Sequence, residues 1–176
     1  MHPIIYDVAV SIDGYISGPD GDISSFPQEG PVVDDYLERL AGYSTAIMGK
    51  ATYEFGYRFG MKPGENPYPH MRTIVFSETL ELGGISDVEA RGYADGEAVA
   101  RIRDEANGPV YLVGGGAFAA SLLGFGLIDR LRLKRAPIVL GGGTRMLEHA
   151  VSPAELSHIE TREYPGGYVF QEFAIG

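Results

Sequence analysis

The chain has 176 residues, 44% of them hydrophobic, and a formal charge of −10 at pH 7. One domain with a real core fits this length, while the negative balance opposes association with a phosphate backbone or an anionic lipid surface. Cysteine is absent, which excludes disulfides and thiolate chemistry. The opening MHPIIYDVAV has no basic region, long apolar stretch or small-residue cleavage site, so a cytoplasmic setting is expected.

Residues Pro3 to Ile12 alternate in the manner of a strand: Ile4, Tyr6, Val8, Val10 and Ile12 share one face, Ile5, Asp7, Ala9 and Ser11 the other. The first face reads as core. The second carries a carboxylate and small residues, so it either lines a cleft or meets water. Asp13 to Pro31 is rich in Gly, Pro, Asp and Ser and reads as a long loop.

Helical spacing follows from Val32 to Leu40, with Val32, Val33, Tyr36, Leu37 and Leu40 as an apolar stripe. Asp34 and Asp35 flank that stripe on opposite sides, so periodicity does not choose which of them faces a cleft. Solvation is the plain alternative for both, with Asp35 within i,i+4 reach of Arg39.

Ser44 to Met48 is a strand, broken at Gly49-Lys50 and followed by a helix from Ala51 to Phe55. Gly56 to Arg72 is loop-like, Thr73 to Phe76 is a short buried strand ending at Ser77, and Val88 to Tyr93 has strand character. Asp95 to Ala106 reads as a helix.

Then comes VYLVGGGAFAASLL, residues Val110 to Leu123: a short apolar strand, three glycines, and a run suited to a helix. Glycines at such a turn admit close backbone approach, and the N–H groups opening the helix face an anion, as a dinucleotide pyrophosphate would require. A turn whose glycines serve only packing is the competing reading.

Leu127 to Arg135 alternates, with Leu127, Leu131 and Leu133 inward and Arg130, Arg132 and Lys134 opposite. Ala136 to Leu147 holds a second triple glycine, Gly141 to Gly143. Leu156 to Glu163 and Tyr168 to Ile175 form a terminal hairpin around Pro165-Gly166-Gly167.

Strands alternating with helices and closing on antiparallel strands predict an α/β domain, 1–176, with a mostly parallel twisted sheet. The turns at Gly49, Ser77 and Gly114 to Gly116 should then share the edge where such sheets bind ligands. The four histidines have no metal-ligand spacing, so no metal is expected. No Gly-x-Ser-x-Gly or Ser/His/Asp pattern points to a hydrolase.

Four segments in order, VSIDGYISGPDG, IMGKATYE, TIVFS and VYLVGGGAFAASLL with LIDRLRLKRAPIVLGGGTRML, resemble the dihydrofolate reductase-like family. The similarity is to the branch of the C-terminal reductase domain of the bifunctional riboflavin-biosynthesis deaminase-reductase. The resemblance implies a three-layer fold with an eight-stranded sheet, NADPH as cofactor and a homodimer. It implies that Gly49, Lys50, Ala51 and Thr52 hold cofactor phosphates, with Lys50 on the adenosine 2′-phosphate and Ser77 nearby. Val113, Gly114, Gly115, Gly116, Ala117 and Phe118 would hold the pyrophosphate and nicotinamide side. Ala9 and Ile16 would lie against the nicotinamide ring. Gly114, Gly116 and Ala119 also satisfy G-x-G-x-x-A, but that dinucleotide fingerprint belongs at the first strand of its domain.

On the substrate side the sequence departs from both relatives. The dihydrofolate reductase carboxylate maps near Val33 or Asp34, one step from Asp35. Asp7 stands where the riboflavin-pathway reductases usually carry lysine, and a negative charge there does not favour a phosphorylated substrate. Asp7, Asp34, Asp35 and Lys134 are therefore the candidates to bind or protonate a small pterin- or pyrimidine-like substrate. Two rival expectations stand beside this one. The first is reduction of the phosphoribosylaminopyrimidine of riboflavin biosynthesis, and the second is a nucleotide-binding protein without turnover.

Overall fold

A computed structural model of the chain describes residues 1–149 and 152–176. Its centre is β1 (Ile4–Val10), whose residues other than Asp7 are apolar on both faces, as suits a sheet covered by helices on both sides. Ile4, Tyr6 and Val8 enter one core layer with Ile47, Leu112 and Val99. Ile5 enters the other with Ala46, Met48, Val75 and Tyr111. The second face of β1 does not lie open to water: Asp7 is 1% exposed, Ser11 just past the strand is 2% exposed, and the half-buried Ala9 lines a cavity. Ile12, expected in the core, lies past the end of the strand and is 56% exposed.

The loop after β1 is more structured than its composition suggests. It contains β2 (Tyr15–Ser17) and a 3-10 turn at Pro19–Gly21. β2 pairs antiparallel with β8 (Thr144–Arg145), which follows the second triple glycine. A Cβ on Gly143 would run into the carbonyl of Ser17, so this glycine is required for the two segments to meet. The Asp13 carboxylate, held down to about 2 by hydrogen bonds from Ser11 and from the Leu140 and Gly141 N–H groups, ties the same loops together.

Helix α1 (Pro31–Leu40) starts on a proline whose fixed φ suits the first helical position. β3 (Thr45–Gly49) runs into α2 (Lys50–Phe55), continued by a 3-10 turn at Gly56–Phe59 inside the segment read as loop. β4 (Arg72–Phe76) follows, and the next strand, β5 (Glu89–Arg91), is shorter than its sequence pattern. Asp95 caps α3 (Gly96–Glu105) by accepting from the Ala98 N–H at 2.7 Å. β6 (Val110–Leu112) leads through the glycines into α4 (Gly116–Gly124). β7 (Arg130–Arg135), β9 (Leu156–Glu163) and β10 (Val169–Ile175) complete the order.

The eight-stranded sheet runs β5-β4-β3-β6-β1-β7-β10-β9. The first six strands are mutually parallel, while β10 is antiparallel to both β7 and β9. This is the expected α/β, dihydrofolate reductase-like architecture with antiparallel C-terminal strands. Because β1, β3, β4 and β6 are parallel, the turns that follow them emerge along one edge.

Candidate active site

Two of the cavities on that edge adjoin the end of β1. The larger, about 640 Å³, lies over the turns after β3 and β6. The smaller, about 310 Å³, lies between β1, α1, β6 and β7. Both volumes fall in the range typical of cofactor and small-ligand sites, about 300–1,000 Å³. They share Val8, Ala9, Ile16, Ile23 and Val113 as a common wall, so they meet at the end of β1.

The larger cavity brings together every residue expected to hold the cofactor except one. Ala9, Ile16, Gly49, Lys50, Ala51, Thr52, Val113, Gly114, Gly115, Gly116, Ala117 and Phe118 all line it. Ser77 instead lines an adjoining depression that shares Phe118 and includes Thr79 and Tyr93. Lys50 spans the two: its Nζ donates to the Thr79 Oγ1 at 3.0 Å and carbonyl at 3.2 Å, and lies 3.7 Å from Glu54.

The glycine turn shows why these residues are glycine. Gly114 and Gly115 adopt φ values of +124° and +94°, which L side chains rarely take. A Cβ on Gly116 would strike the Arg145 carbonyl, whereas one on Gly114 would meet nothing within 4 Å. Thr52 donates to the Gly114 carbonyl at 3.2 Å and so fastens the turn after β6 to α2. Among the described residues no side chain caps α4, whose opening residues Gly116 to Phe118 line the cavity. Arg58 and Glu148 also line this space; nothing in their sequence surroundings marks them, since their loops fold back from elsewhere.

The smaller cavity is walled mostly by apolar and aromatic side chains, with Gln28 among them, and among the described residues Asp7 and Lys134 are its only charged lining residues. Lys134 Nζ donates to Asp7 Oδ1 at 2.7 Å and sits 3.7 Å above the Tyr36 ring. The second oxygen of Asp7 accepts from Arg39 Nε at 3.2 Å and from the Tyr43 hydroxyl at 3.1 Å. Arg132 donates onward to Tyr43 and to Glu172. Burial alone would raise the Asp7 carboxyl, but the Lys134 ammonium and Arg39 guanidinium outweigh it and hold the group below its ordinary value. Burial also lowers Lys134, and Arg39 and Arg132 add to this against the single neighbouring carboxylate. Both shifts therefore run downward for different reasons: the cations outweigh burial at Asp7, and burial outweighs the carboxylate at Lys134.

Asp34 and Asp35 are not brought to this cavity. Asp34 is exposed, and Asp35 accepts from the Tyr164 hydroxyl at 2.6 Å and Arg162 at 3.3 Å on the terminal hairpin. The cavity side of α1 is formed by Val32, Val33, Tyr36 and Leu37. Arg39, within local reach of Asp35, bonds to Asp7 instead, and its two Nη atoms find no hydrogen-bond partner among the described residues. The guanidinium lies 4.1 Å from the centre of the Phe170 ring, which supplies a π face in their place. Sequence reasoning also missed Tyr36 and Tyr111, whose hydroxyls are 2.8 Å apart beside the cavity. The sequence gives them only as apolar-stripe and strand residues.

The RibD C-terminal domain family model matches residues 94–170. A curated protein of Bacillus subtilis, YyaP, is 26% identical over 180 residues, covering 94% of this chain and 91% of that one. Among solved structures, a putative riboflavin biosynthesis protein from Shewanella sp. PV-4 superposes with a TM-score of 0.83 at 22% identity, covering 100% of this chain and 99% of that one. Dihydrofolate reductase from Enterococcus faecalis, solved in complex with NADP(H) and RAB-propyl, superposes with a TM-score of 0.71 at 17% identity, covering 99% and 96%. Over residues 94–170 the chain is matched by the RibD C-terminal domain family, and along its whole length it has the dihydrofolate reductase-like fold.

Proposed function

We propose that the protein is an NADPH-dependent reductase that transfers hydride to a C=O or C=N bond of a small molecule. The observation that carries this reading is the junction of the two cavities at Ala9, Ile16 and Val113. One compartment has the glycine turn, an uncapped helix start and Lys50; the other is small, largely apolar and floored by an ion pair. The cofactor, when bound, supplies the hydride. Gly114 to Ala117 would present backbone N–H groups to its pyrophosphate, and Lys50 would meet the 2′-phosphate beside Ser77 and Thr79. The short side chain of Ala9 leaves room for a ring to approach a substrate at about 3–3.5 Å. The homodimer that the family resemblance implies, and the cytoplasmic setting expected from the opening residues, belong to the same proposal.

Titration calorimetry tests it. NADPH should bind in the micromolar to low millimolar range, and Lys50→Ala should weaken NADPH roughly tenfold while affecting NADH far less. Equal losses for the two nucleotides would remove Lys50 from the 2′-phosphate, and no NADPH binding would overturn the cofactor assignment. The family match over residues 94–170 favours a second reading, reduction of the riboflavin-pathway phosphoribosylaminopyrimidine. Oxidation of NADPH by a substrate panel separates either reductase from a nucleotide-binding protein without turnover.

A further inference from the structure

The smaller cavity carries information about what it accepts. Among the described residues its floor is the only charged part of its lining, and that charge is already paired. The Asp7 side chain is 0% exposed, so its carboxylate is closed to a ligand by Lys134, Arg39 and Tyr43. The ammonium of Lys134, whose side chain is 11% exposed, spends one donor on Asp7 and rests against the Tyr36 ring. It retains donor capacity toward the cavity. On α1, where a carboxylate could have faced a ligand, Val32 and Val33 stand instead.

We propose, resting on the reductase reading above, that this cavity takes an uncharged, mostly apolar carbonyl or imine compound that presents one acceptor atom to Lys134. The same floor disfavours two other kinds of substrate. A ring with a donor-rich edge, such as a pterin, finds no accessible carboxylate to accept its N–H groups, and buried donors left unpaired are costly. Among the described lining residues a phosphate finds one cation and no second one. An anion on Lys134 would also sit within roughly 5 Å of the Asp7 carboxylate, where like charges repel.

The same arrangement suits the chemistry. As hydride from the bound cofactor adds to the substrate carbon, the π electron pair of the C=O or C=N bond moves onto its heteroatom. That atom takes a proton from the Lys134 ammonium, giving the alcohol or amine. The neutral Lys134 amine regains its proton from solvent, and the cofactor is left as the oxidised nucleotide. Lys134, Arg39 and Arg132 outnumber Asp7 and Glu172 in this cluster, so negative charge arising on the heteroatom is stabilised.

The test uses the full chain saturated with NADPH or NADP⁺ and measures ligand binding by calorimetry and thermal shift alongside NADPH oxidation. The probes are 2-acetylnaphthalene as a flat neutral ketone, dihydrofolate as a donor-edged ring, and ribose 5-phosphate. The ketone should bind saturably and be reduced, while the other two bind at least tenfold more weakly. In the paired variant Asp7→Asn/Lys134→Met, which removes both members of the ion pair at the cavity floor and leaves Arg39 a neutral amide as partner, NADPH affinity should persist and ketone affinity fall about tenfold or more, the weight of one charge-assisted hydrogen bond. Lys134→Met alone gives the same comparison if the paired variant does not fold. Preference for dihydrofolate or the sugar phosphate, or ketone binding untouched by loss of Lys134, overturns this inference while leaving the reductase reading intact. Failure of the wild-type protein to bind NADPH overturns that reading and this inference with it.

Discussion

Asp7 is the residue on which the substrate side depends, because three side chains converge on its two oxygens. Asp7→Asn would leave Lys134 and Arg39 buried with no carboxylate between them. Breaking one side of a buried ion pair costs about 3–5 kcal/mol, so the variant should be less stable by that order near neutral pH. The sign of the pH dependence follows from the lowered carboxyl. Its contribution is complete above the ordinary carboxylate value, near 3.9, and is lost as pH falls through the lower value of the folded state. The gap between wild type and Asp7→Asn should therefore narrow toward pH 2. Urea unfolding of both proteins at pH 7 and at strongly acid pH checks this, and a gap that stays constant would refute it. Asp7 and Lys134 were legible in the sequence, the first as a carboxylate in an apolar strand, the second from the alternation of β7. Their mutual contact was not, since it spans 127 residues and depends on β1 and β7 being neighbours.

At the scale of elements, the strand, glycine and helix unit of β6 and α4 supports a graded expectation. Gly115→Ala forces a side chain onto a φ of +94° and puts its Cβ 2.6 Å from Thr52 Oγ1. Gly114→Ala is also strained, at +124°, but its Cβ has open space. Backbone strain of this kind costs about 1–3 kcal/mol, and for a chain of this length each kcal/mol lowers Tm by about 2–4 °C. Both variants should melt several degrees lower, with Gly115→Ala the worse of the two; thermal unfolding in which Gly114→Ala is the more damaging would contradict the role given to Thr52. This edge was readable because parallel strands deliver their turns to one place and glycine reports backbone geometry directly. Helix α1 was not. Asp34 and Asp35 stand symmetrically about its apolar stripe, and what separates them is the terminal hairpin, whose Arg162 and Tyr164 draw Asp35 away from the cavity. The short β2–β8 ribbon was hidden for a similar reason, because its two halves make sense only when a glycine in one lets the other approach.

For the molecule as a whole, sheet order decides how it unfolds. The first strand in sequence is inserted between β6 and β7, both from the second half of the chain. Ile4 pairs with Val110, and Ile5 pairs with both Tyr111 and Arg130, so the centre of the sheet cannot exist without both halves. The stretch matched by the family model, residues 94–170, contains β6 and β7 but not the strand that joins them. Expressed alone, it would expose the flanks of β6 and β7 where Ile4, Tyr6 and Val8 should pack, together with unpaired backbone groups along two strand edges. The full chain should therefore unfold in urea as one cooperative transition, with far-ultraviolet circular dichroism and tyrosine fluorescence coincident. The 94–170 fragment should lack a cooperative transition altogether. Two separated transitions in the full chain, or a fragment that melts cooperatively, would mean that the halves hold together without β1. The charge of −10 sharpens the expectation. Among the described residues the two internal β7 cations, Arg132 and Lys134, are balanced by carboxylates from β10 and β1, so removing β1 costs the sheet its packing and Lys134 its counter-charge together.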